Sequence, residues 1–291
     1  MESLIQQVIY GLSVGSIYAL VALAIVLVYR SMDLINFAQG EFFMMGAFIG
    51  YLVYTQISTH FLVVLVLSTV IAFALGMLVE RVFLRPLQGQ DDILILLVMT
   101  IALFIILPSL ALLIFGPQAF VLPPVEKKLY VIGGIALNPQ YLIILLITLV
   151  IMAALYLMFT RTHLGISLRA VAENKESARM MGLNVSFANS LTFGLAAALG
   201  AIAGVTYAPL IVITFDMGGV IMLKGFTAAV IGGLEIIPGA VLGGLVLGLI
   251  EQFSTLFISS AYKDMISFGL LLFIILVRPN GLLGRRKVTK V

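Results

Sequence analysis

An all-α, polytopic transmembrane bundle is the predicted fold class, and three properties predict it. The 291 residues are 62% hydrophobic and only 10% charged, with a mean hydropathy of +1.22. Several apolar windows exceed the ~20 residues that a helix needs to cross a bilayer. These windows are continuously apolar rather than alternating, which excludes a β-barrel. A soluble domain does not carry this much apolar sequence. The lipid bilayer is therefore the first partner, and residues 1–291 read as a single transmembrane domain.

The elements follow in chain order. Residues 4–28 form the first segment, where Gly11 and Gly15 in GxxxG spacing, with Ser16 and Ala19, make a small-residue stripe for close helix packing. No basic stretch precedes it and no small-residue cleavage site follows, so it reads as a retained helix. Residues 34–41, LINFAQGE, lead into segment two at 42–54. Segment three covers 61–79 and closes on Glu80–Arg81, then Arg85 and Pro86. Glu80 with Arg81 or Arg85 is most simply an interfacial ion pair. Segment four covers 93–115, with Pro108 predicting a kink. Residues 116–139 carry Pro, Gly and the charges Glu126, Lys127 and Lys128, and read as an external loop with room for a hairpin. Segments five and six cover 141–159 and 190–213. Residues 218–234 form a short segment seven that Gly232 and Gly233 would interrupt. Segments eight and nine cover 240–258 and 265–277, ahead of a basic tail.

Charge sets the sides. Arg81, Arg85, the basic residues of 161–179, and Arg278, Arg285, Arg286, Lys287 and Lys290 belong in the cytoplasm. Counting back three spans puts the N-terminus outside. The tail is cytoplasmic only if 218–234 crosses or nearly crosses, which gives about eight spans plus segment seven. A short internal repeat, Phe83-Leu84-Arg85-Pro86-Leu87-Gln88-Gly89 against Leu276-Val277-Arg278-Pro279-Asn280-Gly281, agrees with a duplicated transporter plan.

Most chemistry is excluded. Without Cys, disulfides, thiol catalysis and Cys-ligated metals are out, and the two histidines, His60 and His163, lack ligand-spaced companions. No Gly-x4-Gly-Lys-Ser/Thr loop is available to cradle ATP phosphates, and no hydrolase or zinc motif is present. No cofactor is called for. The net charge of +3 is a cytoplasmic-loop excess, so no nucleic-acid partner is needed.

The longest polar interval is 161–189, RTHLGISLRAVAENKESARMMGLNVSFAN. Ile166 with Ala170 and Leu168 with Ala172 stand at helical spacing. Asn174 suits the N-cap of a second short helix, and Gly182 suits its left-handed C′ position with Leu183 as the apolar contact. Two readings fit: a solvated connector, or a docking element whose small residues allow close approach and whose Arg169, Glu173, Lys175 and Arg179 offer both signs of charge. Within the spans, Asn36, Gln39 and Gly40 share a face if helical, with Glu41 about 140° from Asn36. Glu251 lies deep in segment eight and needs a partner that the sequence does not identify. Lys263 and Asp264 are placed outside.

Ala178-x-x-x-Gly182, following Arg169-Ala170-Val171-Ala172-Glu173, resembles the cytoplasmic coupling loop of ATP-binding-cassette importer permeases, and more specifically branched-chain amino-acid permeases of the LivH type. Further stretches resemble that family in order: Asn36-Phe37-Ala38-Gln39-Gly40-Glu41, Phe226-Thr227-Ala228-Ala229-Val230-Ile231-Gly232-Gly233, Tyr262-Lys263-Asp264 and the stretch 279–284. Two departures stand out: Gln39 replaces the usual His, and Glu235-Ile236 replaces Gly-Ser. The resemblance implies a bacterial or archaeal inner-membrane permease with a second, homologous permease, two ATP-binding subunits and an extracytoplasmic substrate-binding protein. It implies a coupling surface of Arg169, Ala170, Glu173, Asn174, Ala178 and Gly182. It also implies a substrate pathway of Asn36, Gln39, Gly40, Glu41, Thr227, Gly232, Gly233 and Glu235, although for Glu235 the residues themselves favour the blander reading, the cytoplasmic interface. The implied solute is a branched-chain or other hydrophobic amino acid. Urea, short amides and aromatic acids remain alternatives within the class, and an ion-coupled carrier is the rival outside it.

Overall fold

The computed structural model describes residues 2–87, 93–126, 128–132, 135–278 and 280–284. Gln88, Gly89, Lys127, Pro279 and the basic residues of 285–291 lie outside the described residues. The chain is a helical membrane bundle with one added hairpin. Among the described residues, seven helices are long and apolar enough to cross a membrane. The helices are α1 (Glu2–Met32), α2 (Gln39–Gln56), α3 (Phe61–Val79), α4 (Ile93–Phe115), α5 (Pro139–Arg161), α6 (His163–Glu173), α7 (Lys175–Met180), α8 (Val185–Tyr207), α9 (Met217–Gly232), α10 (Ile237–Phe257) and α11 (Lys263–Val277). The external loop holds the hairpin β1 (Tyr130–Ile132) and β2 (Ile135–Leu137), paired antiparallel.

Small residues decide what sits at the centre. The apolar window of α1 is 94% buried and that of α8 is 83% buried, whereas those of α4, α5 and α11 are 17%, 11% and 11% buried. The Ala- and Gly-rich α8 lets α2 approach closely, with Gly46 against Ala201 and Gly204 against the Phe43 carbonyl. The GxxxG stripe of α1 meets a matching stripe on α10. A Cβ on Gly15 would lie 2.8 Å from the Gly244 carbonyl oxygen, and Gly248 abuts Gly15 in return. Outer leucines and isoleucines face the lipid, which is as apolar as they are.

Segments two and seven differ from the expected spans. The α2 helix starts at Gln39, whose Nε2 donates to the Ala196 carbonyl at 2.9 Å. Ala196 is the twelfth of the 23 residues of α8, so α2 begins halfway along a full span. It then runs alongside α8 toward Tyr207. Its 18 residues include the polar Gln39, Glu41 and Gln56, which keep it from the seven long apolar helices. The α9 helix, of 16 residues, runs through Gly218, Gly219 and Gly225 without interruption. Its glycine pair ends the helix rather than breaking it: Gly233 has φ 106° and Gly232 packs on Gly239 of α10. The first turns of α2 and α9 touch, with Gly40 against Gly218, and the two helices leave that point in opposite directions.

Candidate functional site

The polar loop folds as its local sequence dictates. The Thr162 hydroxyl caps α6 by accepting from Gly165 N at 3.1 Å. The Asn174 side chain caps α7 by accepting from Ser177 N at 2.8 Å. Gly182, at φ 80°, ends α7 in the left-handed region, where its N–H donates to the Arg179 carbonyl and Leu183 N–H donates to that of Ala178. Of the six residues expected to couple, Arg169, Glu173, Asn174 and Gly182 are exposed and Ala170 is half-buried. Ala178 is fully buried and packs with Leu168, Val171, Val185 and Ala188 in the loop's own small core. Met180 and Met181, 82% and 66% exposed, form an apolar knob that sequence reasoning passed over.

This loop touches the start of the α2 approach. Lys175 Nζ of α7 pairs with Asp33 Oδ2 at 2.8 Å. Asp33 is the described non-glycine residue with a positive φ, 58°, and it opens the non-helical stretch to α2. Within that stretch Asn36 turns its side chain onto its own backbone, accepting from Ala38 N at 3.1 Å. That local bond competes with a helix, so Asn36 does not share the helical face expected for it. Its Nδ2 instead reaches Gln39 Oε1 at 3.5 Å.

Asn36, Gln39, Gly40 and Glu41 therefore converge, and they meet the first turn of α9. The other expected pathway residues do not join them. Thr227 lies nine residues further along α9, roughly 14 Å at 1.5 Å per residue, and its hydroxyl donates to the Leu223 carbonyl at 2.7 Å. Gly232 and Gly233 mark the far end of that helix. Glu235 is exposed in the turn to α10 and lines a cleft of about 460 Å³ with Tyr29, Ile236, Asn280 and Gly284.

A second polar centre lies on the opposite side of α9. Lys224 Nζ, on a residue only 5% exposed, is 2.9 Å from Glu251 Oε1 and 2.8 Å from Asp264 Oδ1. Lys263 Nζ is 3.2 Å from Glu251 Oε2. The Tyr18 hydroxyl donates to Glu251 Oε2 at 2.7 Å, and the Ser267 hydroxyl donates to Oε1 at 2.5 Å. Four helices, α1, α9, α10 and α11, are thus joined through one fully buried carboxylate. This answers which partner Glu251 needs. The available signal was Lys224 itself, a cation inside an apolar run that calls for an anion in a neighbouring helix. Glu80 is also fully buried, and the Ser190 hydroxyl of α8 donates to it.

The comparisons agree with this architecture. Residues 7–275 match the profile of the family described as branched-chain amino acid transport system, permease component. The high-affinity branched-chain amino acid transport system permease protein BraD of Pseudomonas aeruginosa is 36% identical over 304 residues, covering 99% of this chain and 98% of its own length. The corresponding permease protein LivH of Escherichia coli is 36% identical over 301 residues, covering 99% and 97%. The solved PsaBC from Streptococcus pneumoniae in complex with Fab superposes with a TM-score of 0.50 at 12% identity over 94% of this chain and 91% of that one, a likeness of fold alone. With a profile match over most of its length and relatives more than a third identical from end to end, the chain belongs to the branched-chain amino acid transport-system permease family.

Proposed function

We propose that the chain is the membrane-spanning subunit of an ATP-binding-cassette importer that moves branched-chain amino acids into the cytoplasm. The end-to-end match to relatives named for that transport carries the reading. The chain is a multi-pass permease component of the cell membrane and is not an enzyme. It works with a second permease, two ATP-binding subunits and an extracytoplasmic binding protein. The N-terminus is outside. The end bearing Arg30, the polar loop and Arg278 is cytoplasmic, in keeping with the positive-inside rule.

The ATP-binding subunit docks on the exposed face of α6 and α7, through Arg169, Ala170, Glu173, Asn174, Gly182 and the Met180–Met181 knob. Ala178 supports that face from within. Movement of α7 passes through the Lys175–Asp33 pair into the stretch before α2, and so to the point where α2 and α9 meet. Rigid-body rocking about that point alternates access.

The test is a pull-down of the tagged chain from its native membrane. Wild type recovers ATP-binding subunits, and Glu173→Arg and Gly182→Trp lose them while remaining folded. Folded wild type that never recovers an ATPase contradicts the reading. The strut makes a separate prediction. Lys175 and Asp33 are both partly solvated, so Lys175→Ala changes stability by only ~0.2–1 kcal/mol. Uptake per ATP hydrolysed nevertheless falls in the assembled importer. Unchanged coupling in that variant removes the strut from the mechanism.

A further inference from the structure

We infer that the Glu41 carboxylate, where the first turns of α2 and α9 meet halfway along the bundle, receives the solute's ammonium group during transport. The inference rests on the importer reading and deepens it. Glu41 is 1% exposed, and its Oε2 has no hydrogen-bond partner. A buried acceptor in that position is expensive to keep and marks a group awaiting a ligand. The neighbouring polar side chains are otherwise engaged: Asn36 bonds Ala38 N, and Gln39 bonds the Ala196 carbonyl. Lys224 of α9 is held by Glu251 and Asp264.

The surroundings are shaped around this carboxylate. An ideal Cβ on Gly218 would stand 2.5–2.6 Å from its carboxyl atoms, so the missing side chain lets the carboxyl rest against the α9 backbone. A Cβ on Gly40 would stand 2.7 Å from Met222 Cβ. Any separation of α2 from α9 therefore opens space directly at Glu41. The carboxyl also lies at the positive ends of two helix dipoles, which favour its ionised form once an ammonium arrives. An amino acid presents one cationic group, and an ammonium with three donors suits an acceptor-only carboxylate.

The test uses the complete importer in nanodiscs with binding protein and ATP. Dicyclohexylcarbodiimide adds to a buried protonated carboxyl, and site-resolved mass spectrometry reads Glu41, with the importer free of solute as reference. L-Leucine slows Glu41 labelling about tenfold or more, as expected for a charge-assisted bond. 4-Methylpentanoate, which has the same skeleton without the ammonium, leaves it unchanged. Glu41→Gln lowers leucine uptake by about ten- to a hundredfold while binding-protein-stimulated ATP hydrolysis persists, and Glu41→Asp recovers part of the uptake. Equal protection by both compounds, or by neither, overturns the inference alone. Failure of the wild-type importer to carry leucine at all overturns the importer reading together with it.

Discussion

Glu251→Ala is expected to destabilise the bundle by about 3–5 kcal/mol, the range for stranding a buried charge. Glu251 is fully buried and accepts from Tyr18, Lys224, Lys263 and Ser267. Alanine leaves the Lys224 ammonium buried, with the half-solvated Asp264 as its remaining carboxylate partner. The Tyr18 hydroxyl loses its acceptor as well. The damage comes from the charge left behind, so removing both charges should repair it. In Lys224→Met/Glu251→Leu, Lys263 and Asp264 can turn to water, being 27% and 59% exposed in their side chains. The double variant should therefore recover most of the loss, with a coupling of opposite sign to the single effects. Thermal unfolding of the purified chain in detergent reads all three. A Glu251→Ala protein within ~1 kcal/mol of wild type contradicts the central role given to this carboxylate.

Gly15→Leu should be the other severe change. At the α1–α10 seam, backbone faces backbone. The space at Gly15 ends at the Gly244 carbonyl and the Leu245 Cα, and Gly248, one turn further along α10, closes on Gly15 as well. Overpacking usually costs about 1–3 kcal/mol because flexible side chains yield. Here no side-chain end is available to yield, so the helices must separate along the most buried element of the fold. Folded yield in detergent should collapse for Gly15→Leu. Gly269→Leu should be harmless, since nothing lies within 4 Å of an added Cβ there. Equal yields would mean that the seam is not close-packed.

Locally determined features were legible in the sequence, and features fixed by distant contacts were not. The helix pair of the polar loop could be read because its stop and start signals sit in the residues themselves. Asn174 caps α7 and Gly182 ends it, as their side-chain chemistry requires. The small stripe on α1 was legible for the same reason. The halfway start of α2 was not, because it depends on Gln39 reaching the Ala196 carbonyl, 157 residues away. Residues 42–54 carry the composition of a short span, and nothing local states how deep they begin. The Glu251 centre was invisible as a whole, since Tyr18 reaches it across 233 positions. Of the expected pathway residues, the group 36–41 is contiguous and converges. Thr227, Gly232, Gly233 and Glu235 were grouped with it by family pattern, and the length of α9 separates them from it.

Leucine uptake into proteoliposomes tests the central claim most directly. The vesicles hold this chain, its partner permease and the ATP-binding subunits, with binding protein supplied outside. The account predicts accumulation that requires ATP hydrolysis and continues when proton and sodium gradients are collapsed. Accumulation that proceeds without ATP and stops when those gradients collapse would contradict it and make the chain an ion-coupled carrier.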